Sequence, residues 1–567
     1  MDESPNTASV WAATNSYTVE RRRFLQVAAV AGVTAVLAAC TPGRKPTATT
    51  PTGSSSGLSN EKIPGPPWSG GQKGGSGLSL WPDSTVTYDP PLAYGQADYY
   101  GLSNFYRGLV FYAPGADPQL DIAKSLNISK DGLTYTFTLR DGVKFHNGRT
   151  VTASDFKWTF ERSSSKKIGS WVQGFLGSVQ GHKEFVTGTA KEIAGIVAKD
   201  HRTLVLKLTK PDVTVLGVLG IPPFYVLPKE EVERLGSKFA QHPIGSGPYK
   251  FKSWNSGQSI LKMERNEEYI FADALPYLDE VEYRWNVSAD VAFLSVARDQ
   301  ADLTFTLPAS AIPRIKKDPR QSKRFKEWGS FTLSWWQLDL SKAPFNDIRV
   351  RQAVNYAFNK KSAEPYAYIP DGHFYPAGLF GYDNSAPVYN YDPEKAKSLL
   401  AEAGATNLSL ILPVFGSGSP DPVAQLLQQN LKDVGITVDI KQAGNVNPYD
   451  VGADLPKRYR LWRLGWGMGL PDPSELVSSL IGTGAPSNFN GYSNSTIDKL
   501  GRAAISEVDH TKRAALYAQI ERLYLQDAPC LFLGANSAPS FISSKLQNFY
   551  YEPILRTYWD RYWKTGS

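Results

Sequence analysis

The stretch DGLTYTFTLRDGVKFHNG, residues 131–148, decides how the first part of the chain folds. Between Thr134 and Leu139, threonines alternate with a tyrosine, a phenylalanine and a leucine, and Asp-Gly pairs flank the run on both sides. Alternation between turn-forming pairs is typical of a half-buried strand between tight turns. We therefore predict a strand over residues 134–139.

Signals for helices and strands continue on the carboxyl side of this stretch. Thr152-Ala153-Ser154-Asp155 resembles a capping box that opens a helix. Asp or Asp-Pro pairs before apolar runs, and glycines after them, indicate the starts and stops of later helices. We predict helices over 152–160, 347–358, 393–404, 421–435, 495–508 and 511–525, strands over 408–412 and 436–440, and a strand, a helix and a strand between about 278 and 305. The strands around the 421–435 helix form a predicted βαβ unit, so the fold class is α/β.

The amino-terminal region has the composition of an export signal. Arg21-Arg22-Arg23 is followed by an uncharged apolar run and then by Leu37-Ala38-Ala39-Cys40. A charged region, a short apolar region and small residues before a cleavage point are typical of a secretory signal and too short for a spanning helix. The paired arginines resemble a twin-arginine signal, and the last four residues resemble a lipobox. The alternatives are a buried apolar helix and a signal cleaved elsewhere.

The preferred interpretation removes residues 1–39 and places a lipid on Cys40. Residues 40–77 are rich in Thr, Pro, Ser and Gly, a composition that cannot bury enough apolar surface to fold. We therefore predict a flexible lipoprotein tether over 40–77 and a folded part that begins near Leu78. The protein is then exported and lipid-anchored, at the outer face of the cytoplasmic membrane or in the periplasm.

Length and composition limit the remaining possibilities. Removing residues 1–39 from 567 leaves 528 residues, which predicts two or more large lobes. The formal net charge is +7, and we expect no Lys/Arg block beyond Arg21–Arg23, so nucleic-acid binding is not indicated. Only two cysteines exist. If Cys40 is lipidated, no disulfide is available, and Cys530 in an apolar run is expected to be a buried thiol.

Several motifs together resemble family 5 of the extracytoplasmic solute-binding proteins, which serve ABC importers of dipeptides, oligopeptides, nickel and some oligosaccharides. The resemblance extends from about residue 81 to residue 559. The motifs that carry it are residues 131–148, 152–156, 245–249, 344–353 and 472–473.

The resemblance implies a two-lobed periplasmic-binding-protein-like fold of type II, of the large cluster with an extra subdomain. Two crossing segments, near 334–339 and 531–537, would join the lobes. Lobe one would comprise residues 78–336 and 534–567, including a β-rich subdomain, and lobe two residues 337–533. The lobes of a monomer would close on a ligand, and an ABC transporter permease would then recognise the loaded form.

The ligand site implied by the resemblance centres on residues 461–473. In peptide-binding relatives, the backbone matching Gly465 to Gly467, with a strand matching Tyr100, Gly101 and Leu102, pairs with an extended peptide. An acidic residue three places after the tryptophan that matches Trp466 holds the peptide ammonium. This chain has Gly469 there, which disfavours peptides with a free amino terminus unless Asp472 compensates.

The aromatic residues of the same region favour a second kind of ligand. Tryptophan faces with polar edges suit sugar rings as well as apolar side chains, although core positions are the alternative for each. Arg463 could bind a ligand carboxylate or pair with a neighbouring residue of the lobe, and Asp472 could cap a helix before Pro473. The candidate ligand-binding residues are Tyr100, Gly101, Leu102, Trp335, Trp336, Trp462, Arg463, Gly465, Trp466, Gly467, Gly469 and Asp472.

No pattern in the sequence indicates catalysis, a metal site or a cofactor. The six histidines are dispersed, without metal-ligand spacing, and His146 belongs to the turn motif. A secreted glycosidase, the alternative of a different class, needs two carboxylates across one cleft, and no motif designates such a pair. The predicted function is a lipoprotein receptor of an ABC importer for peptides or peptide-sized solutes, with an oligosaccharide receptor as the alternative.

Overall fold

A computed structural model describes most of the chain beyond residue 70. The described residues are 57–59, 70–82, 87–93, 96–113, 117–257, 259–308, 311–366, 368–415, 421–444, 448–449, 451–550 and 557–566. The predicted signal peptide and Cys40 lie outside them. Of the described residues, none belongs to a helix both long and apolar enough to cross a membrane.

Strands and helices both occur along the whole described chain. In chain order the strands are β1 Gly57–Ser59, β2 Ser76–Leu80, β3 Val110–Ala113, β4 Asp117–Leu120, β5 Ala123–Ile128, β6 Thr134–Leu139, β7 Ile196–Ala198, β8 Thr203–Lys207, β9 Tyr249–Asn255, β10 Ile260–Arg265, β11 Glu280–Arg284, β12 Leu303–Thr304, β13 Phe325–Leu338, β14 Tyr368–Ile369, β15 Ser409–Val414, β16 Thr437–Gln442, β17 Leu461–Gly467, β18 Cys530–Ile542, β19 Leu546–Gln547 and β20 Trp563–Lys564.

The helices are concentrated between the strands of the second half. They are α1 Gln96–Phe105, α2 Ala153–Ser164, α3 His182–Val186, α4 Val215–Val218, α5 Lys229–Leu235, α6 Ala289–Ala297, α7 Ile312–Lys317, α8 Ile348–Ala357, α9 Pro393–Glu402, α10 Pro422–Lys432, α11 Leu455–Arg458, α12 Pro473–Leu476, α13 Ser495–Ser506 and α14 His510–Asp527. Short helical turns add Pro90–Leu92, Pro222–Phe224, Gly236–Gln241, Lys360–Tyr366, Gly452–Asp454 and Val477–Ile481.

The predicted strand is β6, with the bounds that the alternation gave. It lies in the middle of a five-stranded antiparallel sheet with the order β1-β5-β6-β8-β7. Tyr135, Phe137 and Leu139 are buried, whereas the threonines between them are half-buried. A capping box of Thr152 and Asp155 opens α2, as predicted. This sheet and α2 share a hydrophobic cluster that also contains Phe156 and Phe160.

The largest sheet in the described part of the chain has nine strands, in the order β17-β13-β18-β12-β2-β11-β10-β9, with β14 also paired to β18. The long strands β13 and β18 run antiparallel to each other, and the register shifts between Gly329 and Leu333. Both predicted crossing segments fall within or at the end of these strands. On one side of the shift β18 pairs with β12, which in turn pairs with β2. On the other side β13 pairs with β17.

The buried residues divide into two groups, as a two-lobed fold of type II requires. Three clusters contain residues from 80 to 315 and 541 to 562, and two contain residues from 331 to 535. We refer to these groups as lobe one and lobe two. Leu470 is an exception, because this lobe-two residue packs in a lobe-one cluster. Among the described carboxyl-terminal residues, Tyr558, Trp559 and Tyr562 pack on lobe one.

The helices of lobe two agree with the start and stop signals. Asp347, Asp392 and Asp421 each accept a hydrogen bond from a backbone N–H of the helix that follows. β15 and β16 are parallel and flank α10, so the predicted βαβ unit is present. The predicted strand, helix and strand between 278 and 305 are β11, α6 and β12.

Part of the predicted tether differs from the structure. Gly57–Ser59 pairs antiparallel with β5, and Ser76 and Gly77 already belong to β2 in the large sheet. The side chain of Lys73 donates a hydrogen bond of 2.8 Å to the carbonyl of Ala272. Pairing at a sheet edge uses backbone groups, which every residue except proline supplies in full, so it leaves no apolar periodicity to read. The folded part therefore includes residues before Leu78.

Candidate functional site

Strand β17 carries the centre of the predicted site and lies at one edge of the large sheet. Among the described strands it pairs with β13 alone, in a register that places Gly465 opposite Ser334 and Gly467 opposite Thr332. The hydroxyl of Tyr449 donates a hydrogen bond of 2.8 Å to the carbonyl of Gly465. An edge strand offers backbone groups to an added strand, so this position is compatible with an extended ligand.

Three of the four predicted tryptophans belong to the core of lobe two. Trp336 and Trp462 have no exposed surface, and Trp335 is 2% exposed. Side chains of successive strand residues point to opposite faces of the sheet, and here helices and loops cover both faces. Trp335 and Trp462 therefore pack in one cluster and Trp336 in the other. The three rings thus occupy core positions, the alternative that the sequence left open, and their contact with a ligand stays a prediction.

Tyr100, Gly101 and Leu102 also differ from the prediction. They lie inside helix α1, where backbone N–H and C=O groups bond within the helix and cannot pair with an extended peptide. The Tyr100 ring stacks on Phe305 with centroids 4.9 Å apart, and Gly101 lies against Tyr88. The prediction of a ligand-pairing strand here is therefore wrong, and the three residues belong to the lobe-one core.

Trp466 is the half-buried exception and is held by a carboxylate. Its indole Nε1 donates a hydrogen bond of 2.8 Å to Oε1 of Glu475. The same carboxylate accepts hydrogen bonds from the backbone N–H of Gly469 at 3.2 Å and of Leu470 at 2.5 Å. Glu475 is 4% exposed, and burial raises the pKa of its carboxyl group to about 7. Within the described residues it has no ion pair with a lysine, arginine or histidine.

Gly469 lies where the lobes meet. A Cβ atom at this position would stand 2.6 Å from Cη2 of Trp171, a residue of lobe one. The indole of Trp171 donates a hydrogen bond of 3.0 Å to the carbonyl of Ala93. Nearby, burial and then the Glu475 carboxylate raise the pKa of the Tyr99 phenol. Gly469 therefore leaves room for an aromatic ring of the opposite lobe, and an acidic side chain there would clash with it.

Further contacts join the two lobes beside this ring. The backbone N–H of Val213 donates a hydrogen bond of 3.0 Å to the carbonyl of Ile505, and the Ser506 hydroxyl donates one of 3.1 Å to the carbonyl of Pro211. Leu470 packs in the lobe-one cluster that contains Tyr112 and Val215. The loop after β17 thus contacts lobe one directly.

Asp472 has the capping role that sequence reasoning left open. Its Oδ1 accepts a hydrogen bond of 2.9 Å from the backbone N–H of Ser474, at the start of α12. Its Oδ2 forms an ion pair of 2.5 Å with Arg513. Both oxygens thus have partners within lobe two, and replacement of the ammonium anchor by Asp472 stays a prediction.

Arg463 pairs with a neighbour in its own lobe. Its guanidinium forms an ion pair of 2.8 Å with Asp421, the residue that caps α10, and lies 5.5 Å from the centroid of the Tyr368 ring. Its side chain is 31% exposed. Of the two interpretations of Arg463, the structure shows the pair within the lobe.

The histidine in the turn motif connects two of the sequence motifs. The Nδ1 of His146 accepts a hydrogen bond from the Gly245 backbone N–H, and its Nε2 lies 3.1 Å from the Gly247 carbonyl. Burial lowers the pKa of His146 to about 4, so the ring is neutral at pH 7. No group of three or more potential metal ligands occurs among the residues that the structure describes.

Most of the chain matches a known protein family. Residues 117–488 match the model of the bacterial extracellular solute-binding proteins, family 5. The chain belongs to this family. Its members bind solutes, so the family assignment supports binding rather than catalysis as the role of this protein.

Curated relatives and a solved structure support the assignment to family 5. The glutathione-binding protein GsiB of Pectobacterium atrosepticum is 27% identical over 464 residues, which cover 79% of this chain and 86% of that protein. The probable D,D-dipeptide-binding periplasmic protein DdpA of Escherichia coli is 27% identical over 490 residues, covering 83% and 90%. The ABC transporter substrate-binding protein CtaP of Listeria monocytogenes shares the fold, with a TM-score of 0.74, 23% identity and coverage of 87% and 100%.

Sequence reasoning missed the residues that complete this family 5 site. Trp171 and Tyr99 are about 300 residues or more away from Gly469 along the chain, and no local pattern connects them. Glu475 follows Asp472-Pro473 in the first turn of α12, where an acidic residue is expected for the helix dipole alone. Its carboxylate turns back to the loop of residues 466–470, a contact that only the fold reveals.

Proposed function

We propose that this family 5 protein is an exported, lipid-anchored receptor of an ABC importer. It captures peptides or peptide-sized solutes between its lobes and delivers them to a membrane permease. Cys40 carries the lipid, the residues after it form the tether, and the protein acts as a monomer outside the cytoplasmic membrane. The names of GsiB, DdpA and CtaP support a peptide ligand and an ABC transporter as partner.

The observation that carries the proposal is the meeting of both lobes beside one half-buried indole. Trp466 and Glu475 belong to lobe two, and Trp171 and Tyr99, close to them, belong to lobe one. A ligand favours the closed form only through contacts with both lobes at once. A solute bound at the end of β17 would contact both, because the edge strand and the opposing aromatic rings lie at the same place.

Glu475 supplies the negative charge that Gly469 lacks. Its carboxylate lies at the backbone N–H groups of residues 469 and 470 and has no cationic partner among the described residues. A buried carboxylate without a counter-charge is costly, so a ligand ammonium would be stabilised there. We therefore propose that Glu475 anchors the free amino terminus of a peptide.

An oligosaccharide ligand has less support than a peptide. The proposal of sugar binding relied on several tryptophan faces, and Trp335, Trp336 and Trp462 are in the core. Trp466 and Trp171 are half-buried and still offer two faces near the lobe boundary. An oligosaccharide is therefore retained as the second candidate, on the basis of these two rings.

Thermal shift and calorimetry with matched ligands test the peptide proposal. The mature protein is measured with short peptides, with the same peptides N-acetylated, and with oligosaccharides. A ligand at 100 times its dissociation constant adds about 2.7 kcal/mol of stability, a clear rise in Tm. We expect the free peptides to raise Tm. N-acetylation of the peptide, or Glu475→Gln in the protein, should lower the affinity at least tenfold and so reduce the rise in Tm.

Glu161→Gln is the matched control for this experiment. Glu161 is a mostly buried carboxylate of lobe one that accepts a hydrogen bond of 3.0 Å from the Ile193 backbone, away from β17. Glu161→Gln should leave peptide affinity unchanged. Stabilisation by sugars alone would contradict the peptide proposal, and turnover of a ligand would contradict the receptor. Retention of a Cys40→Ala form by membranes washed in about 1 M salt, which screens ionic binding, would contradict the lipid anchor.

A further inference from the structure

A basic segment of 13 residues carries most of the net charge of the protein. Residues 314–326 contain seven lysines and arginines and one acidic residue, Asp318, so their formal charge is +6, against +7 for the whole chain. The expectation that no Lys/Arg block exists beyond Arg21–Arg23 is therefore wrong. Apolar and polar residues interrupt the basic ones, and this spacing concealed the block in the sequence.

The fold leaves four of these cations at the surface. Lys316 forms an ion pair with Glu327 at 2.7 Å, and Arg324 forms one with Asp299 at 2.7 Å. In the described part of the chain, the other exposed cations have no ion pair with a carboxylate. They are Arg314, Lys317, Arg320 and Lys323.

Exposed apolar side chains lie next to these cations. On α6, Val291 is 54% exposed and Leu294 is 45% exposed, and Arg298 follows on the same side of the helix, which has 3.6 residues per turn. The inner sides of α6 and α7 share one small cluster with Val296 and Ile315. Arg324 of the basic segment donates hydrogen bonds to the carbonyls of Val296 and Ala297, so the segment adjoins the carboxyl end of α6. We call the outer sides of α6, α7 and this segment the basic surface. It consists of Val291, Leu294, Arg298, Arg314, Lys317, Arg320 and Lys323.

A series of contacts connects the basic surface to Gly71, a few residues before β2. Gly71 lies against the ring of Trp563, and Trp563 pairs with Gln547 in the β19–β20 hairpin. Next to this hairpin, Ser544 donates two hydrogen bonds to Asp299, through its backbone N–H at 2.8 Å and its hydroxyl at 2.6 Å. Asp299 in turn holds Arg324 of the basic segment.

We infer that the basic surface binds the anionic phospholipid bilayer and holds lobe one against it. Cations near an anionic bilayer gain electrostatic free energy, and exposed apolar side chains beside them can enter the interface. This binding is independent of the ligand in the cleft, so its failure and that of the proposed receptor function are distinguishable.

Vesicle sedimentation tests the basic surface directly. The chain from residue 40 onward is prepared with Cys40→Ala, so that no lipid contributes. We expect it to sediment with vesicles of phosphatidylglycerol and phosphatidylcholine in equal parts, but not with phosphatidylcholine alone. Binding should be lost at about 1 M salt, where the Debye length is about 3 Å. Replacing Arg314, Lys317, Arg320 and Lys323 with glutamine should weaken binding about 100-fold or more, because each cation contributes about fivefold.

A control variant with the same change in charge distinguishes the effect of the basic surface from the effect of the net charge. Lys130, Lys167, Lys183 and Lys191 are exposed residues of lobe one outside this surface, and replacing them with glutamine should leave binding within about threefold of the parent. Val291→Ser with Leu294→Ser should weaken binding about tenfold without changing its salt dependence. Equal binding by the parent and the fourfold surface variant would overturn the inference, as would equal binding to neutral vesicles. A preference for double-stranded DNA over anionic vesicles would also overturn it.

Discussion

The Cα of Gly469 in lobe two lies directly against the indole of Trp171 in lobe one, so closely that a Cβ atom would stand 2.6 Å from the ring. The relationship explains why this position holds a glycine rather than a larger residue. A side chain at residue 469 and the ring of Trp171 would occupy the same space when the lobes meet.

Gly469→Ala should therefore destabilise the contact between the lobes. We expect a loss of about 1 to 3 kcal/mol, because overpacking displaces the ring or the loop. Gly174→Ala is the control, since a Cβ at residue 174 would meet no atom within 4 Å. Combined with Trp171→Ala, the substitution at 469 should cost much less in chemical denaturation. Additive costs in the double variant would argue against this contact.

The buried carboxyl group of Glu475 should give stability a pH dependence. Its pKa is about 7 in the folded protein and about 4.5 in the unfolded chain, so the folded state holds the proton more tightly. Its stabilising effect is complete below pH 4.5 and decreases as pH rises through 7. Glu475→Gln should lack this decrease, so its Tm and that of the parent should diverge as pH rises from about 4.5 to about 8. Parallel Tm curves for the parent and Glu475→Gln would refute the assignment of the raised pKa to Glu475. Glu394→Gln, which changes an exposed carboxylate, serves as the control.

Asp472→Ala should reduce stability without changing which ligand binds. The substitution removes a helix cap, worth about 1 kcal/mol, and leaves Arg513 without its partner, for a total of about 2 to 3 kcal/mol. Asp392→Ala removes a cap alone and should cost about 1 kcal/mol. Loss of binding to free peptides in the Asp472 variant, at full folding, would show that Asp472 rather than Glu475 is the anchor.

Trp462 and Trp466 should respond in opposite ways to replacement by alanine. Trp462 is completely buried, so Trp462→Ala should cost about 3 to 5 kcal/mol of stability in denaturant unfolding. Trp466 is half-buried and bonds Glu475, so Trp466→Ala should cost less and should weaken ligand binding by calorimetry. If Trp466→Ala bound ligand as tightly as the parent, the ring would have no role in the site.

Much of the fold could be predicted because a helix cap or the alternation of a strand depends only on residues that are near in the sequence. The alternation in 134–139 gave β6 exactly, and Asp caps gave the starts of α8, α9 and α10. Residues 57–59 were missed, because an edge strand paired through its backbone has no apolar pattern. Tyr100 was misplaced because a family resemblance was transferred to a segment that forms a helix here.

The site was less predictable than the fold, because its members come from distant parts of the chain. Trp466 was found from its motif, and Gly469 was noticed only as the absence of an acid. The reason for that absence is Trp171, which no spacing connects to the motif. Burial separated Trp336 and Trp462 from Trp466, although the three residue types are identical.

The buried thiol of Cys530 makes the movement of the lobes accessible to spectroscopy. Cys530 has no exposed surface, and burial raises its pKa, so little of the reactive thiolate forms. The other cysteine of the sequence is Cys40. A Cys40→Ala protein is therefore silent toward maleimide dyes. Exposed lysines such as Lys130 in lobe one and Lys499 in lobe two can be replaced by cysteine, and a dye pair on them would report the distance between lobes as ligand is added.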